Sequence, residues 1–357
     1  MAQNLETGLI INKLTGDTVG LNVQNSDALI NNVTVGKGGG NRVDNTVIGY
    51  QSLSNNTTGD ATVSVGYQSL KNNTQGIGNI GLGVRSLFSN IRSHNNIAIG
   101  SDSQYSQVGN PLSVTTSNIS IGTESLYSIT GDAKYCLSIG HYSLRDHKVG
   151  DYNISIGYNT SNSLINGNNN VIVGSYSFSN STGGTSNISI GTNSLYNNIN
   201  GNYNTSIGDS SQYNVTNSSY NTSLGYFAGT TDYSSNIGSY NTSLGYNSGP
   251  TGNFSGTTTI GQNSIVSKDD VIVLGNPNDD KITVSIGTNY PDDSAKLQID
   301  STTKGFLPPR MTAVQAEAIS TPAEGLMVYI NDQTGGSTIT SKGWWGYNTS
   351  GWVKIGP

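Results

Sequence analysis

Residues Asn153–Gly157 read Asn-Ile-Ser-Ile-Gly, and variants of this pattern return along most of the chain. An identical copy stands at residues 187–191. Two apolar side chains that flank a small polar one alternate with period two, which is typical of a short β-strand. The pattern therefore predicts one short strand in each copy of a repeat.

A glycine that follows Ile, Val or Leu ends each copy, and the spacing of these glycines defines the repeat. Most successive glycines are 17 residues apart, and the exceptions are intervals of 22, 18 and 20 residues. The repeat glycines are Gly49, Gly66, Gly83, Gly100, Gly122, Gly140, Gly157, Gly174, Gly191, Gly208, Gly225 and Gly245. A fixed period of this length is typical of solenoids, in which each repeat packs only on its neighbours.

The rest of each repeat also follows a pattern. A small residue stands three positions after the glycine, and Leu or Phe often follows it, as at Ser52-Leu53 and Ser177-Phe178. We interpret this segment as a second short strand, which leads into Asn- and Gly-rich turns such as residues 55–59. The predicted fold is all-β, a parallel β-solenoid of the β-roll type with coils of about 17 residues, over residues 41–265.

The composition agrees with stacked coils. Charged residues make up only 11% of the chain, and Asn, Ser, Thr and Gly carry the polarity. Coils that stack about 4.8 Å apart would place like charges next to each other, whereas ladders of Asn, Ser and Thr can form hydrogen bonds. The formal net charge of -6 excludes electrostatic attraction to nucleic acid, so no nucleic-acid partner is expected.

Each coil has few apolar residues, so a single chain would have a thin and marginally stable core. Association along the solenoid would bury more apolar surface. A parallel homotrimer closes most simply, because each chain can turn one strand face to a common axis. We therefore predict a homotrimer.

The repeat unit N-x-S-I-G-x-x-S-L resembles the head repeat of trimeric autotransporter adhesins over residues 41–265. The resemblance implies a left-handed parallel β-roll whose apolar strands line a trimer interface. The period of 17 residues is a few residues longer than is typical of that family. The first twenty residues also lack the pattern of a secretory signal, and no stretch approaches the length of a membrane-spanning helix. No membrane insertion is expected.

A second resemblance lies at the C-terminal end, where the order of elements is similar to that of modules in bacteriophage tail fibres. The elements are the segment Ala-Lys-Leu-Gln-Ile-Asp at 295–300, the segment Gly-Phe-Leu-Pro-Pro-Arg-Met-Thr at 305–312, a short helix predicted at 312–319, the segment Pro-Ala-Glu-Gly-Leu-Met-Val-Tyr at 322–329 and a hairpin formed by 344–347 and 351–354. Together the two resemblances imply a trimeric fibre or spike of a virion, made in the host cytoplasm.

The resemblance to phage fibres also implies that successive segments of the chain have different functions. Residues 1–40 would be the N-terminal segment that attaches to other virion proteins, 41–265 the solenoid shaft, 266–300 a β connector and 301–357 the C-terminal tip. The expected function is a structural tail or head fibre that binds a glycan or protein receptor on the host surface. A bacterial surface adhesin and a polysaccharide-degrading spike are the alternatives.

Two regions are candidates for receptor binding. All tryptophans of the chain, Trp344, Trp345 and Trp352, lie near Tyr347 in the last fourteen residues. Packing within the hairpin is the alternative role for these rings. Extra residues in a solenoid emerge as loops. The second candidate is therefore the pair of long repeat intervals at 101–121 and 229–244, of which the latter contains Tyr233. The alternative is that these loops are neutral insertions.

Tyrosines follow several of the repeat glycines and are predicted to stack into a ladder. The alternative role for such exposed rings is the binding of sugars. These tyrosines are Tyr50, Tyr67, Tyr158, Tyr226 and Tyr246.

No catalytic, metal or cofactor site is predicted. A glycosidase needs two carboxylates set about 5–9.5 Å apart, whereas Asp60, Asp132 and Asp151 lie beside turn glycines and other acids are scattered singly. The three histidines have no metal-ligand spacing. Cys136 is the single cysteine, so it forms no intrachain disulfide, and we expect it in the core.

Overall fold

The computed structural model describes residues 10–13, 19–22, 27–106, 116–130, 133–230, 236–279 and 282–356. The chain forms two compact units, the first ending at Asp279 and the second beginning at Asp280. Strands and turns make up nearly all of both units. The prediction of an all-β chain with a small mixed module at its C-terminus is confirmed.

Unit 1 is organised around one sheet, to which the described residues contribute sixteen strands. The described residues of unit 1 form β1 (Ile10–Lys13), β2 (Val19–Asn22), β3 (Ala28–Ile30), β4 (Val33–Gly36), a 3-10 turn (Gly39–Asn41), β5 (Thr46–Gly49), β6 (Val63–Val65), β7 (Ile80–Leu82), β8 (Ile97–Ile99), β9 (Ile119–Ile121), β10 (Leu137–Ile139), β11 (Ile154–Ile156), β12 (Val171–Val173), β13 (Ile188–Ile190), β14 (Thr205–Ile207), β15 (Thr222–Leu224), β16 (Thr242–Leu244), β17 (Gly249–Pro250), β18 (Thr258–Ile260), β19 (Ile265–Val266) and β20 (Ile272–Leu274).

From β5 onwards the strands of this sheet pair in parallel, each with its counterpart one coil away. The register keeps equivalent residues opposite each other, for example Ile154 with Val171 and Ile188 with Thr205. The predicted parallel solenoid is therefore confirmed. Its sheet continues beyond residue 265, the expected end of the shaft, as far as β20.

Antiparallel strands cover the N-terminal end of the sheet. Strand β4 pairs with both β3 and β5, and β1 pairs with β2 in a separate hairpin. The carboxylate of Asp27 accepts hydrogen bonds from the backbone N–H groups of Lys37, at 2.6 Å, and Gly38, at 2.8 Å. Strand β3 is therefore the edge of the sheet at this end.

The second strand predicted in each repeat is present among the described residues only in the coils after Gly245 and Gly261, where β17 and β19 pair in parallel, and it is wrong for the other coils. Residues Gln51 and Leu53 have φ angles of 52° and 46°, and residues at these repeat positions alternate with right-handed ones to form a turn. The N–H group of Leu53 still donates to the carbonyl of Ser69 in the next coil, at 3.0 Å. The turn thus buries an apolar side chain and forms inter-coil hydrogen bonds without an extended backbone. Because a strand would do the same, the sequence pattern could not distinguish a strand from a turn.

Apolar and polar side chains share the interior of each coil. A column of buried Leu and Phe side chains from the turns forms the apolar part, as at Leu126, Leu144, Phe178 and Leu195. On the strands the small central residue points inward, so Ser155 is fully buried while the aliphatic residues on either side face outward. The inward face is therefore more polar than a globular core.

Asparagine and serine ladders satisfy many of these buried polar groups, although some ladder atoms, such as Ser243 Oγ and Asn221 Nδ2, have no hydrogen-bond partner among the described residues. The side-chain oxygen of Asn170 accepts the N–H of Asn187, at 2.9 Å, and Asn187 accepts the N–H of Asn204, at 3.0 Å. Serine hydroxyls bond across the coil in the same way, as in the 2.9 Å bond from Ser194 to Ser206. The expected hydrogen-bonded ladders are confirmed, and they explain why Asn precedes so many strands.

The repeat glycines turn the chain at the end of each strand. Gly191 has φ of +135°, a conformation that L side chains rarely adopt. A Cβ atom there would also overlap the carbonyl oxygen of Gly208 in the next coil. Both the backbone angle and the close approach of coils require glycine.

Residues 282–356 of unit 2 form two small sheets and one helix. Its elements are β21 (Val284–Ile286), β22 (Leu297–Ile299), β23 (Arg310–Thr312), α1 (Ala313–Glu317), β24 (Met327–Asp332), β25 (Gly343–Asn348) and β26 (Gly351–Lys354). Strands β21 and β22 pair in parallel, and β23 to β26 form a mixed sheet in chain order. The predicted helix and C-terminal hairpin are confirmed.

A capping box starts α1, because Thr312 accepts the N–H of Gln315 while the Gln315 side chain accepts the N–H of Thr312. The helix packs Ala313 and Ala316 against the sheet. The core of unit 2 is built from these alanines with Val328, Ile330, Ile339 and Trp345.

Candidate oligomerisation and receptor-binding surfaces

An apolar stripe runs along the outer face of the solenoid sheet. It consists of the aliphatic residues that flank the buried centre of each strand, such as Ile119 and Ile121 on β9 and Ile188 and Ile190 on β13. These four side chains are between 37% and 39% exposed in the single chain. A contiguous exposed apolar surface on a folded protein marks an interaction site.

The stripe changes near the C-terminal end of unit 1. On β14, β15, β16 and β18 the first outward residue of the strand is threonine, while the second remains Ile or Leu. The threonines are Thr205, Thr222, Thr242 and Thr258. The apolar stripe is therefore two side chains wide over most of the sheet and one wide in these four coils.

Tyrosines after the repeat glycines stack in two of the predicted places. The rings of Tyr50 and Tyr67 lie 5.6 Å apart with planes 12° from parallel, and Tyr226 and Tyr246 stack in the same way. Tyr158 instead meets Tyr176 edge to face at 5.3 Å. The predicted ladder is thus confirmed for two pairs and interrupted at Tyr158.

Sequence reasoning missed a longer stack that lies two residues before the strands. The rings of Tyr203 and Tyr220 are 5.1 Å apart, and those of Tyr220 and Tyr240 are 5.0 Å apart and parallel within 1°. Tyr135 and Tyr152 form a separate pair in the same column. The signal was present in the sequence, since these tyrosines follow the spacing of the repeat.

The aromatic residues predicted for the receptor-facing tip differ in exposure. Trp345 is only 6% exposed, and its Nε1 donates to the carbonyl of Ser341 at 3.0 Å. Trp344 and Tyr329 meet edge to face, as do Tyr347 and Trp352, and both pairs are half-buried. Trp345 therefore supports the core. The other three rings predicted for the tip, Trp344, Tyr347 and Trp352, retain accessible surface.

The predicted loop contact Tyr233 lies outside the described residues, and so does the middle of the 101–121 interval. Asp132 also lies outside them.

Several carboxylates in the described part of unit 1 pair with arginine. Asp102 lies 2.8 Å from Arg85, and Glu124 lies 2.7 Å from Arg145. The hydrogen bond that Arg85 donates to Asp102 raises the pKa of Arg85, and the one that Arg145 donates to Glu124 raises the pKa of Arg145. These acids neutralise basic neighbours, which is a structural role.

Cys136 and His147 form a buried pair with the residue types of a nucleophilic site. Cys136 Sγ lies 3.9 Å from His147 Nε2. Burial raises the pKa of the Cys136 thiol to about 11, and it lowers the pKa of His147. A thiol with this pKa remains protonated near neutral pH and is a poor nucleophile. Cys136 is the core residue that the sequence predicted.

No group of three or more His, Cys, Asp or Glu side chains in the described residues could hold a metal ion. No helix in the same residues has the length and apolar character that a bilayer crossing requires.

Comparison with known proteins identifies the C-terminal part of the chain. Residues 285–357 match the family described as phage tail like trimerisation region, and this match covers nearly all of unit 2. No curated protein and no solved structure matches the chain. A trimerisation region supports a homotrimer. Together with the parallel β-solenoid, it fits a trimeric protein that resembles a phage tail fibre or spike.

Proposed function

We propose that this protein is a structural fibre of a bacteriophage virion, in the tail or the head, which attaches the particle to the host cell surface and is not an enzyme. The observation that carries the proposal is the phage tail-like trimerisation region that follows a long parallel solenoid. A solenoid of this kind provides a stiff spacer, and a trimerisation region aligns three of them.

The apolar stripe supports assembly along the shaft. In a parallel homotrimer the three stripes would face one axis and exclude water, which is favourable by roughly 25 cal/mol for each Å² of apolar surface buried. Unit 2 offers a second apolar surface in its own trimerisation region. Phe306 and Leu307 are 65% and 69% exposed in the single chain, and Ile286 and Leu297 are also exposed. Homotrimer formation would cover both surfaces.

The proposed polarity follows the domain organisation expected from the sequence. Residues 1–40 would dock on other virion proteins, 41–265 would form the shaft, 266–300 would connect it to the tip, and 301–357 would face the host. Half-exposed aromatic rings such as Trp344, Tyr347 and Trp352 suit either a glycan or a protein receptor.

The non-enzymatic role is supported by the acids of the shaft. Glu124, Asp102 and Asp60 each lie within 3.3 Å of an arginine nitrogen. A glycosidase instead needs an acid with a raised pKa beside a second carboxylate. Release of reducing ends from host polysaccharide by the purified trimer would contradict this part of the proposal.

The attachment role can be tested with variants of the tip. We expect Tyr347→Ala and Trp352→Ala to reduce binding of fluorescently labelled trimer to host cells by at least about tenfold, because each removes aromatic contact area. Tyr290→Ala is the matched control, since Tyr290 is an exposed aromatic residue of the same unit. Light scattering of each variant shows whether the trimer persists. Full binding by both intact variant trimers would move recognition away from the tip.

A further inference from the structure

The tyrosine stack of unit 1 ends abruptly, although its backbone continues. Tyr220, Tyr240, Gly256 and Asp270 occupy one position in successive coils, and the N–H group of each donates to a carbonyl of the coil before it. Their φ angles lie between 59° and 70°, so the backbone is nearly the same at all four positions. Only the side chain changes, from a ring to a hydrogen atom to a carboxylate.

Gly256 leaves one face of the Tyr240 ring uncovered. Tyr220 has a ring on each side, whereas Tyr240 is stacked on Tyr220 and faces the coil of Gly256 on its other side. This difference is visible in the exposed fractions, 49% for Tyr220 and 65% for Tyr240. The result is a notch with Gly256 as its floor.

Asp270 forms the opposite side of the notch. Its carboxylate leans back towards Gly256, because a Cβ atom on that glycine would collide with Asp270 Oδ1. Two coil spacings, roughly 9.6 Å, separate the backbones of Tyr240 and Asp270. The neighbouring Asp269 accepts the N–H of Ser255 at 2.7 Å, but the Asp270 side chain has no hydrogen bond or ion pair to the described residues. Its acceptor sites are therefore open.

An open aromatic face opposite an open carboxylate suits a sugar ring. The C–H groups on the face of a pyranose pack on an aromatic ring, and its hydroxyl groups donate charge-assisted hydrogen bonds to a carboxylate. The negative carboxylate and the net charge of -6 disfavour acidic sugars. A single exposed ring also lacks the enclosing cage that tight recognition of a quaternary ammonium group uses.

We propose that Tyr240, Gly256 and Asp270 form a binding site for a neutral pyranose of a host-surface glycan. The biological meaning of this site rests on the proposed attachment function, whereas the binding itself can be measured alone. The site lies on the shaft, so it would add contacts along the fibre to those made by the tip. Three copies in a trimer would strengthen a weak individual contact through avidity.

The decisive variant fills the notch with one more tyrosine. At Gly256 the backbone already has the φ that Tyr220 and Tyr240 adopt, and the atom in the way is the movable end of the Asp270 side chain. Gly256→Tyr should therefore extend the stack and cover the free face of Tyr240. Ser186→Tyr is the matched control, because Ser186 precedes Tyr203 in the same column with φ of 59°. It extends the stack at the other end and leaves the notch open.

Saturation-transfer NMR on the full-length trimer provides the readout, with methyl β-D-glucopyranoside and N-acetyl-D-glucosamine as probes and glucuronate and choline as comparisons. We expect saturation of at least one neutral sugar by the wild type and by Ser186→Tyr, with a Kd on the order of millimolar. Gly256→Tyr should abolish the signal. Asp270→Asn should weaken binding about tenfold, because a charged acceptor is lost.

Three results would overturn the site: no saturation of either neutral sugar by the wild type, an unchanged signal in Gly256→Tyr, or saturation of choline in place of the sugars. Circular dichroism of each variant verifies that the solenoid is intact. A wild-type trimer that attaches normally to cells but binds neither neutral sugar would refute this inference alone. Failure of the wild-type trimer to attach to cells would refute the proposed function, whatever the sugar result.

Discussion

At the scale of single residues, the repeat glycines and the buried asparagines perform different tasks. Glycine permits the backbone angle at each corner and the close approach of coils, while asparagine connects one coil to the next by hydrogen bonds from inside. The side chain of Asn187 both accepts the N–H of Asn204 and donates to the carbonyl of Gly201. Each type of residue is required at its position for a separate physical reason.

Replacement of a repeat glycine should destabilise the solenoid. We expect Gly191→Ala to cost at least about 2 kcal/mol, because it combines a strained positive φ with a clash against Gly208. Thermal unfolding followed by circular dichroism measures the effect. Gly252→Ala is the control, since Gly252 has no such φ and a Cβ atom there would make only ordinary contacts. Equal unfolding temperatures for the two variants would contradict the proposed role of the corner.

A single glutamate links α1 to the loop before β25. Glu317 accepts the backbone N–H groups of Ser337, Thr338 and Ile339 at 2.7 to 3.0 Å. These hydrogen bonds lower the pKa of Glu317 from 4.5 to about 2. Because the folded state favours the ionised carboxylate, its stabilising effect is complete above about pH 4.5 and is lost as the pH falls towards 2.

Glu317→Gln should therefore lower the unfolding temperature of unit 2 near neutral pH, since it replaces a charged acceptor with a neutral one. The difference from the wild type should shrink as the pH falls from 4.5 to 2, the range set by the two pKa values. Unfolding followed by tryptophan fluorescence reports on unit 2, which contains every tryptophan. Glu324→Gln, at an exposed glutamate of the same unit, is the control. A difference that stays constant with pH would contradict this account.

At the scale of elements, the strand pattern was predicted correctly and its partner element was not. Apolar residues on both sides of a serine indicate a strand whichever side faces the interior. The structure shows that the serine is inside and the aliphatic residues are outside. The Leu column, which resembled a strand in the sequence, supplies the apolar interior from a turn with left-handed residues.

Charge on the apolar stripe should prevent shaft assembly. We expect Ile188→Glu to reduce the trimer population at low micromolar concentration, because it would place three carboxylates near one axis in an apolar contact. Ile199→Glu is the control, since Ile199 lies in a turn and is 39% exposed, like Ile188. Analytical ultracentrifugation measures both. If the two variants assemble equally well, the strand face is not an interface.

At the scale of the whole molecule, the two units offer apolar surface that a single chain leaves exposed. Association with two further copies of the chain would bury both the apolar surface of the trimerisation region in unit 2 and the apolar stripe of unit 1. We expect light scattering of the purified protein to give a mass about three times 37.4 kDa. A monomer at micromolar concentration would contradict both the proposed shaft interface and the assembly role of unit 2.

Internal periodicity in the sequence was sufficient to predict the all-β class and the parallel solenoid, the composition to predict the hydrogen-bonded ladders, and the cysteine count to predict the burial of Cys136. The order of elements after residue 295 was sufficient to predict the helix and hairpin of unit 2. These features depend on local pattern, because each coil repeats the same contacts with its neighbours.

Only the tertiary structure decided which side chains face inward and where the aromatic stacks end. Whether Leu53 lies on a strand or in a turn depends on backbone angles that inter-coil packing selects, and a period in the sequence contains no information on them. Trp345 and Trp352 are alike as residues, but the position of the sheet against α1 buries the first more completely. The notch beside Tyr240 likewise exists only because stacking brings Gly256 and Asp270, fourteen residues apart, into one column.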